Sequence, residues 1–160
     1  MAVALRVFFL LCGLMTGGLC AAPAISAPAC PAGWTRLDCR CFIYQATEVS
    51  FAAAEEECQN IGGNLASIRN SLENALAYQL VRDANAGSIP DTWIGLFDSV
   101  EEENFLWVDG SKSSFRFFRS DQPDDFQGGE DCVEIHRVEE RWNDDGCTDL
   151  NPFVCSMDLI

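Results

Sequence analysis

The sequence DQPDDFQGGEDCVEIHRVEERWNDDGCTD, residues 121–149, is the stretch around which the rest of the chain is organised. It is rich in carboxylates and amides, which stand beside glycine and proline at positions typical of loops. Two cysteines, Cys132 and Cys147, lie within it. Ca²⁺ takes roughly 6–8 oxygen ligands on flexible loops and makes little use of nitrogen or sulfur. The stretch therefore predicts a calcium-binding loop.

The chain begins in the way that exported proteins begin. Residues 1–22 combine one positive charge at Arg6, an apolar core and a run of small residues, which predicts a signal peptide cleaved within residues 20–24. No later apolar run reaches the roughly 20 residues that cross a bilayer. We expect a secreted, extracellular protein without membrane insertion. Residues 23–29 would form a short linker, and residues 30–158 a single folded domain.

The charge of the chain is strongly negative. The formal net charge is −15, and removal of Arg6 with the leader would make it −16. Such a surface repels phosphate backbones and anionic lipids, so nucleic acid and electrostatic membrane docking are disfavoured. Outside residues 121–149 the alternative is that the acids only keep an exported protein soluble.

The cysteine count indicates a disulfide framework. Cys12 and Cys20 lie in or at the edge of the leader, which leaves seven cysteines in an exported chain and therefore one unpaired thiol. Spacing alone allows many pairings. A thiolate metal site is disfavoured, because His136 is the only histidine and the chain has no CxxC pair.

The first half of the chain predicts two helices separated by short strands. Ser50 is placed to cap a helix over residues 51–60, which the glycines at 62 and 63 would end. Asn70 and Glu73 form a capping-box pattern for a second helix that runs to about Asp83. Its apolar residues predict an inner face made of Leu72, Ala75, Leu76 and Leu80.

The remaining periodic segments predict strands. Short strands are expected at residues 41–44, 65–68 and 92–96, and residues 104–111 resemble a strand that enters a turn. Flanking glycines favour buried strands, so we interpret the bulky apolar side chains as core. These are Trp93, Ile94, Leu96, Trp107 and Phe153. The order of elements predicts an α+β domain with a loop-rich far end.

Several motifs in register give the sequence a recognisable pattern. They are, in chain order, Cys30-Pro-Ala-Gly-Trp34 with Cys41, Phe51-Ala-Ala-Ala-Glu55 with Cys58, Gly62-Gly-Asn-Leu-Ala-Ser-Ile68, Trp93-Ile-Gly-Leu96, Trp107-Val-Asp-Gly-Ser111, Gln122-Pro-Asp124, Glu130-Asp-Cys132, Trp142-Asn-Asp144 and Pro152-Phe-Val-Cys155. The chain resembles the C-type lectin-like domain family from Cys30 to Cys155. With its Gln-Pro-Asp motif it looks like a secreted single-domain fish lectin, related to the calcium-dependent fish antifreeze proteins. The resemblance implies two helices and short antiparallel sheets with a long calcium-binding loop region.

The resemblance also implies a disulfide pattern. The three bridges would be Cys30–Cys41, Cys58–Cys155 and Cys132–Cys147. Cys39 is then the odd cysteine. It is either a buried or capped thiol or the link of a disulfide-bonded homodimer, and exposed free thiols are uncommon outside the cell.

By the same resemblance, the principal Ca²⁺ would be held by three carboxylates and two amides. These ligands are Gln122, Asp124, Glu130, Asn143 and Asp144. A second, auxiliary Ca²⁺ would be held by four acids, with an ordinary acidic loop as the alternative. These acids are Asp98, Glu102, Asp125 and Asp131. Acid should abolish sugar binding, because the ligating carboxylates must be ionised to hold the ion. EDTA should abolish it as well, because it removes the ion.

The order of amide and acid bears on sugar choice. In this family Glu-Pro-Asn accompanies mannose-type ligands and Gln-Pro-Asp accompanies galactose-type ligands. Phe126 falls where galactose binders carry an aromatic residue, often Trp, and this chain lacks their long glycine-rich insertion. The resemblance implies that the sugar-binding residues are Gln122, Asp124, Phe126, Glu130 and Asn143.

The leading hypothesis is a secreted, calcium-dependent, galactose-type lectin that acts in innate immune recognition or agglutination, with glycans as partners. One alternative is ice binding, although the loop at residues 125–129 has no small threonine-like surface. Another is a toxin-like or protein-binding member that ignores sugar, since fold does not fix function. Asp124 and Glu130 as a glycosidase pair is disfavoured, because the ion claims the same carboxylates. We therefore expect no enzymatic activity.

Overall fold

The computed structural model describes residues 29–137 and 141–159. The predicted leader, its cleavage site, Cys12, Cys20 and most of the predicted linker lie outside these residues. The elements are, in chain order, β1 Thr35–Leu37, β2 Arg40–Val49, α1 Phe51–Asn60, β3 Asn64–Leu65, α2 Ser71–Ala84, β4 Thr92–Phe97, β5 Leu106–Trp107, β6 Cys132–Ile135, β7 Trp142–Asp145 and β8 Asn151–Asp158. The α+β class with two helices is confirmed.

The described strands form one connected sheet. Its order is β1-β2-β8-β4-β6-β7, with β3 paired to β8 and β5 paired to β4. All pairs are antiparallel except β4 with β8. The short strands expected from the sequence thus join into one mixed sheet. Two of its strands are long, because β2 and β8 pair from Arg40↔Asp158 to Val49↔Asn151 and so hold the two ends of the domain together.

Helix α1 begins and ends where the sequence predicts. The Ser50 hydroxyl accepts a hydrogen bond from the Ala53 N–H at 3.5 Å, which satisfies one of the free donors of the first turn. After Asn60 the chain leaves the helix through Gly62, whose φ of +92° is readily available to glycine.

Helix α2 has the predicted cap but only part of the predicted inner face. Asn70 Oδ1 accepts from the N–H groups of Leu72 and Glu73 at 2.9 and 3.0 Å. Leu72 is 65% exposed and Ala75 is exposed, whereas Leu76 and Leu80 are only partly buried. The buried residues are Glu73, Asn74, Ala77, Tyr78 and Val81. The predicted inner face is therefore wrong for Leu72 and Ala75, whereas Leu76 and Leu80 pack against the core as predicted.

Two polar contacts inside the protein explain why α2 is rotated about its axis relative to the orientation that its apolar residues predict. The Glu73 carboxylate lies 2.7 Å from Nη1 of the buried Arg40. Asn74 Oδ1 accepts a hydrogen bond from Trp142 Nε1 at 2.9 Å. An unpaired buried charge costs far more than an exposed leucine, so these contacts decide which side of α2 faces the sheet.

The sheet separates two apolar clusters, and the residues interpreted as core are buried. Trp93, Ile94, Leu96 and Phe153 are fully buried, and Trp107 is 4% exposed. The larger cluster packs under α2 and the smaller one packs under α1. The core thus fixes the strands whose ends and connections carry the candidate site.

The cysteines pair as the resemblance implies. The three intrachain bridges are Cys30–Cys41, Cys58–Cys155 and Cys132–Cys147. The second joins α1 to β8, and the third joins β6 to the segment that follows β7. Cys39 is an exposed free cysteine.

Candidate functional site

Three of the predicted calcium ligands come together beside the edge of the sheet. Asp144 lies on β7, and Asp124 and Glu130 lie on the loop that precedes β6. One carboxylate oxygen from each of the three lies within 4.8 Å of the other two. Asp144 is buried, Glu130 is half-buried and Asp124 is exposed, so the group opens to solvent on one side.

Asp144 fixes the loop to the sheet. Its carboxylate accepts hydrogen bonds from the backbone N–H of Asp124 at 3.1 Å and of Asp125 at 2.8 Å. Charge-assisted bonds of this kind are stronger than bonds between neutral groups. The strand residue therefore positions the loop residue Asp124 within ligand distance of itself.

The tip of the loop is a tight turn closed by its own acids. Asp125 Oδ1 accepts from the Glu130 N–H at 3.1 Å, and Glu130 Oε2 accepts from the Phe126 N–H at 3.1 Å. The Gly128 N–H donates to the Asp125 carbonyl at 2.8 Å, with a φ of +71° at the glycine. This turn leaves the Phe126 ring 61% exposed beside the carboxylate group.

The carboxylates repel one another in this arrangement. Burial raises the pKa of Asp144, and the negative charge of Asp124 adds to that increase. Burial likewise raises the pKa of Glu130, with further contributions from Asp144, Asp145 and Asp124. A bound cation would favour the ionised forms, so the electrostatics suit a metal site.

The two predicted amide ligands differ in their placement. Gln122 precedes a cis peptide bond to Pro123, and its Oε1 is buried without a hydrogen-bond donor in the described part of the chain. Asn143 follows Trp142 on β7, and its Nδ2 donates to the Asp144 carbonyl at 2.6 Å and to Glu134 Oε1 at 3.4 Å. Gln122 thus offers an uncommitted oxygen, whereas the Asn143 amide is already engaged through its nitrogen.

The four predicted auxiliary ligands are only partly brought together. Asp98 is buried, and its Oδ2 accepts from the Glu103 N–H at 3.0 Å. Burial raises the pKa of Asp98 to about 6, and the charges of Glu102, Asp131 and Asp144 add to the effect. Asp98 Oδ1 is buried without a donor in the described residues. Asp125, in contrast, is occupied by the turn that it closes.

Comparison with known proteins places this geometry in a family. The lectin C-type domain model matches residues 47–157. The chain belongs to the C-type lectin domain family. Members of this family are non-enzymatic, which confirms the expectation that the chain is not an enzyme. Among the described residues no helix is long and apolar enough to cross a membrane.

C-type lectin relatives cover most of the chain. The galactose-specific lectin nattectin of Thalassophryne nattereri is 36% identical over 151 residues, which are 94% of this chain and 93% of nattectin. A type-2 ice-structuring protein of Hemitripterus americanus is 34% identical over 131 residues, covering 81% of this chain and 76% of that protein. The crystal structure of the C-type lectin CEL-I from Cucumaria echinata has a TM-score of 0.77 at 25% identity and covers 82% of this chain and 99% of CEL-I.

This C-type lectin domain also contains a group of ionisable side chains that the sequence reasoning missed. Asp91, Glu134 and His136, the histidine to which we assign no role from the sequence, have one ligand-type atom each within 4.8 Å of one another. Glu134 is 1% exposed, and its oxygens accept from Asn143 and Asn151. Burial raises the pKa of Glu134 to about 9, helped by the charges of Asp91 and Asp145. Glu134 lies between two apolar residues of β6, a pattern that gives no signal of a buried acid.

A shallow depression of about 510 Å³ adjoins the principal carboxylates. It is lined by Glu102, Glu103, Phe105, Pro123, Asp124 and Asp125. Its lining therefore includes Asp124 of the principal set and two acids of the auxiliary set, Glu102 and Asp125. The depression gives a ligand access to both sets.

Proposed function

We propose that this protein is a secreted, calcium-dependent, carbohydrate-binding lectin of galactose-type specificity that acts in innate immune recognition or agglutination. The observation that carries the proposal is the convergence of Asp124, Glu130 and Asp144 beside the uncommitted oxygen of Gln122. A relative described as a galactose-specific lectin supports the choice of sugar.

The residues present fit a calcium ion. Carboxylate and amide oxygens on loops are its preferred ligands, and two buried oxygens, Gln122 Oε1 and Asp98 Oδ1, accept no hydrogen bond in the described residues. The principal ion would be held by Gln122, Asp124, Glu130, Asn143 and Asp144. A second ion would be held by Asp98, Glu102, Asp125 and Asp131. A bound Ca²⁺ supplies coordination positions for two neighbouring sugar hydroxyls.

The side chains around the ion would orient the sugar. A hydroxyl can accept a hydrogen bond from an amide N–H and donate one to a carboxylate, so the positions of amide and acid select which hydroxyl pair fits. Gln122 and Asp124 present amide then acid, and Glu130 and Asn143 present the reverse order. The exposed Phe126 ring would stack on the apolar face of galactose.

Retention on immobilised galactose tests the proposal. The protein should bind in millimolar Ca²⁺, elute with free galactose, and elute with EDTA. The paired substitution Gln122→Glu with Asp124→Asn keeps oxygen ligands but reverses amide and acid, so it should move elution from galactose toward mannose. Equal retention on galactose with and without EDTA would contradict a calcium-dependent site.

Ice binding is the second candidate, because a relative is described as an ice-structuring protein. Against it, the exposed loop at residues 125–129 reads Asp-Phe-Gln-Gly-Gly and offers no array of small threonine-like groups. Thermal hysteresis of the purified protein separates the two functions. A lectin should show none at concentrations at which galactose binding is complete.

A further inference from the structure

A second cavity adjoins the depression beside the predicted calcium ligands. It has a volume of about 510 Å³, and Phe105 lines both spaces. Its apolar wall includes Phe97 and Trp107, and its polar rim is the Ser111–Ser114 segment with Lys112 and Arg116. A ligand bound at the calcium site would therefore reach this cavity by passing over the Phe105 ring.

Arg116 in this cavity is a positive charge that has no carboxylate partner among residues 29–137 and 141–159. Its Nη1 donates to the carbonyls of Ser113 at 3.0 Å and Phe115 at 2.8 Å, and its Nη2 donates to the Phe105 carbonyl at 3.2 Å. Its guanidinium lies 5.7 Å from the centre of the Trp107 ring. Burial lowers the pKa of Arg116. Main-chain carbonyls hold this cation in place but do not neutralise it.

Lys112 is a second cation on this cavity. It is exposed and forms no ion pair in the described part of the chain. Asp109 accepts from the Ser111 N–H at 2.9 Å and lies 3.8 Å from Arg69, which compensates its charge. In a chain of net charge −15, two uncompensated cations on one cavity are an exception that solubility does not explain.

The cavity also offers hydroxyl donors. The serines at 111, 113 and 114 line it, and Ser111 Oγ is buried without a hydrogen-bond partner in the described residues. The Ser113 hydroxyl donates to the Ile68 carbonyl at 3.2 Å, so Ser111 and Ser114 are the hydroxyls left for a ligand. Two cations and these hydroxyls beside an aromatic wall match an anionic group carried on a sugar ring.

We propose that this cavity binds a sulfate or carboxylate substituent of the same glycan whose terminal sugar occupies the calcium site. The inference rests on the proposed lectin function and narrows its ligand to acidic galactose-terminated glycans. The calcium site would hold the terminal sugar, Phe105 would support the next ring, and Lys112 with Arg116 would hold the anion.

The test compares three galactose-terminated disaccharides whose second sugar is neutral, sulfated or a uronic acid, in Ca²⁺ and in EDTA. The wild-type protein should bind at least one acidic disaccharide about fivefold more tightly than the neutral one, and the difference should shrink with added NaCl. The charge reversal Lys112→Glu should remove this preference and leave the affinity for the neutral disaccharide unchanged. The matched reversal Arg36→Glu, at an exposed position of the edge strand β1, which does not line the cavity, should retain the preference.

The outcomes separate this inference from the function on which it rests. If all three disaccharides bind with equal affinity, or if the preference persists in Lys112→Glu, the proposed anion site is wrong and the proposed lectin function is unaffected. Binding of an acidic disaccharide that is lost in Lys112→Glu supports the cavity even if the neutral sugar does not bind. Absence of binding to all three overturns both proposals. A preference for the sulfated or for the uronic acid ligand alone identifies the anion.

Discussion

At the scale of single residues, Asp144 joins the sheet to the loop that carries the proposed calcium ligands. Its buried carboxylate accepts hydrogen bonds from two backbone N–H groups of the loop, and one of its oxygens lies within 4.8 Å of a carboxylate oxygen of Asp124 and of Glu130. The family resemblance predicts that Asp144 is a calcium ligand. Only the structure shows that the same oxygens also hold the loop backbone.

Asp144→Asn should therefore weaken calcium binding by more than tenfold and loosen the loop. The amide keeps the size of the side chain but removes the charge that attracts the ion and strengthens both hydrogen bonds. Calorimetric titration with Ca²⁺ and the calcium-induced rise in melting temperature measure the effect. Asp121→Asn is the matched control, since Asp121 is an exposed neighbour paired with Arg119. An unchanged calcium affinity in Asp144→Asn would exclude Asp144 as a ligand.

Glu134 is a second residue whose surroundings in the folded protein change its chemistry, because its burial raises its pKa. Its pKa of about 9 in the folded protein lies above the ordinary value of 4.5, because burial disfavours the charged form. In the unfolded chain Glu134 loses its proton near pH 4.5, whereas in the folded protein it keeps the proton until about pH 9. Glu134 therefore lowers the free energy of unfolding progressively as pH rises between these two values.

Glu134→Gln should remove that loss. Near pH 5 the variant and the wild type should have similar stability, and at pH 9 the variant should be more stable by about 2 kcal/mol or more. Urea unfolding in EDTA at the two pH values measures the difference without a contribution from the ion. Parallel stability profiles for the two proteins would show that Glu134 titrates normally.

At the scale of elements, helix α2 shows how a polar contact overrides an apolar pattern. The leucine at position 72 is exposed because the glutamate at position 73 pairs with Arg40 inside the protein. Arg40 also binds Ser67, Ser156 and Asp158, so one guanidinium connects α2, the segment that follows β3, and β8.

Glu73→Gln should destabilise the domain by about 3 kcal/mol, because it leaves a buried guanidinium with only the partly exposed Asp158 as a counter-charge. Leu72→Ala, one position away on the same helix, should cost less than about 0.5 kcal/mol. Chemical unfolding of the oxidised protein compares the two. A larger loss for Leu72→Ala would restore the inner face that the apolar pattern predicts.

At the scale of the whole molecule, weak single sites favour assembly. One open calcium site that binds a monosaccharide is expected to have a Kd of about 1 mM, or about −4 kcal/mol. Two linked sites gain avidity without any new contact. Six of the described cysteines form the three intrachain bridges, and Cys39 remains free and exposed. It is therefore available for such a link.

The protein expressed by secretion should therefore migrate as a dimer on non-reducing electrophoresis and as a monomer after reduction. Cys39→Ser should be monomeric in both conditions and should lose agglutinating activity, while its affinity for a monovalent galactoside stays unchanged. A wild-type protein that is monomeric without reductant would exclude the Cys39 link.

The sequence by itself was sufficient for the family, the α+β class, the caps of both helices and the residues of the core. These features depend on local patterns: a serine or asparagine before a helix, apolar strands between glycines, and motifs in a fixed order. It also named Asp124, Glu130 and Asp144, because each lies in such a motif. The disulfide pairing came from the family resemblance, since spacing alone left many pairings open.

Only the tertiary structure decided the features that depend on contacts between distant residues. The rotation of α2 follows from Arg40, which precedes Glu73 by 33 residues. The raised pKa of Glu134 depends on its burial and on the charges of Asp91 and Asp145, which come from other segments of the chain. Periodicity records how often apolar residues recur, but it carries no information about which buried charge meets which partner. The sequence motifs and the apolar periodicity were enough to predict the fold. The electrostatics of the site depend on contacts between distant residues, which only the tertiary structure shows.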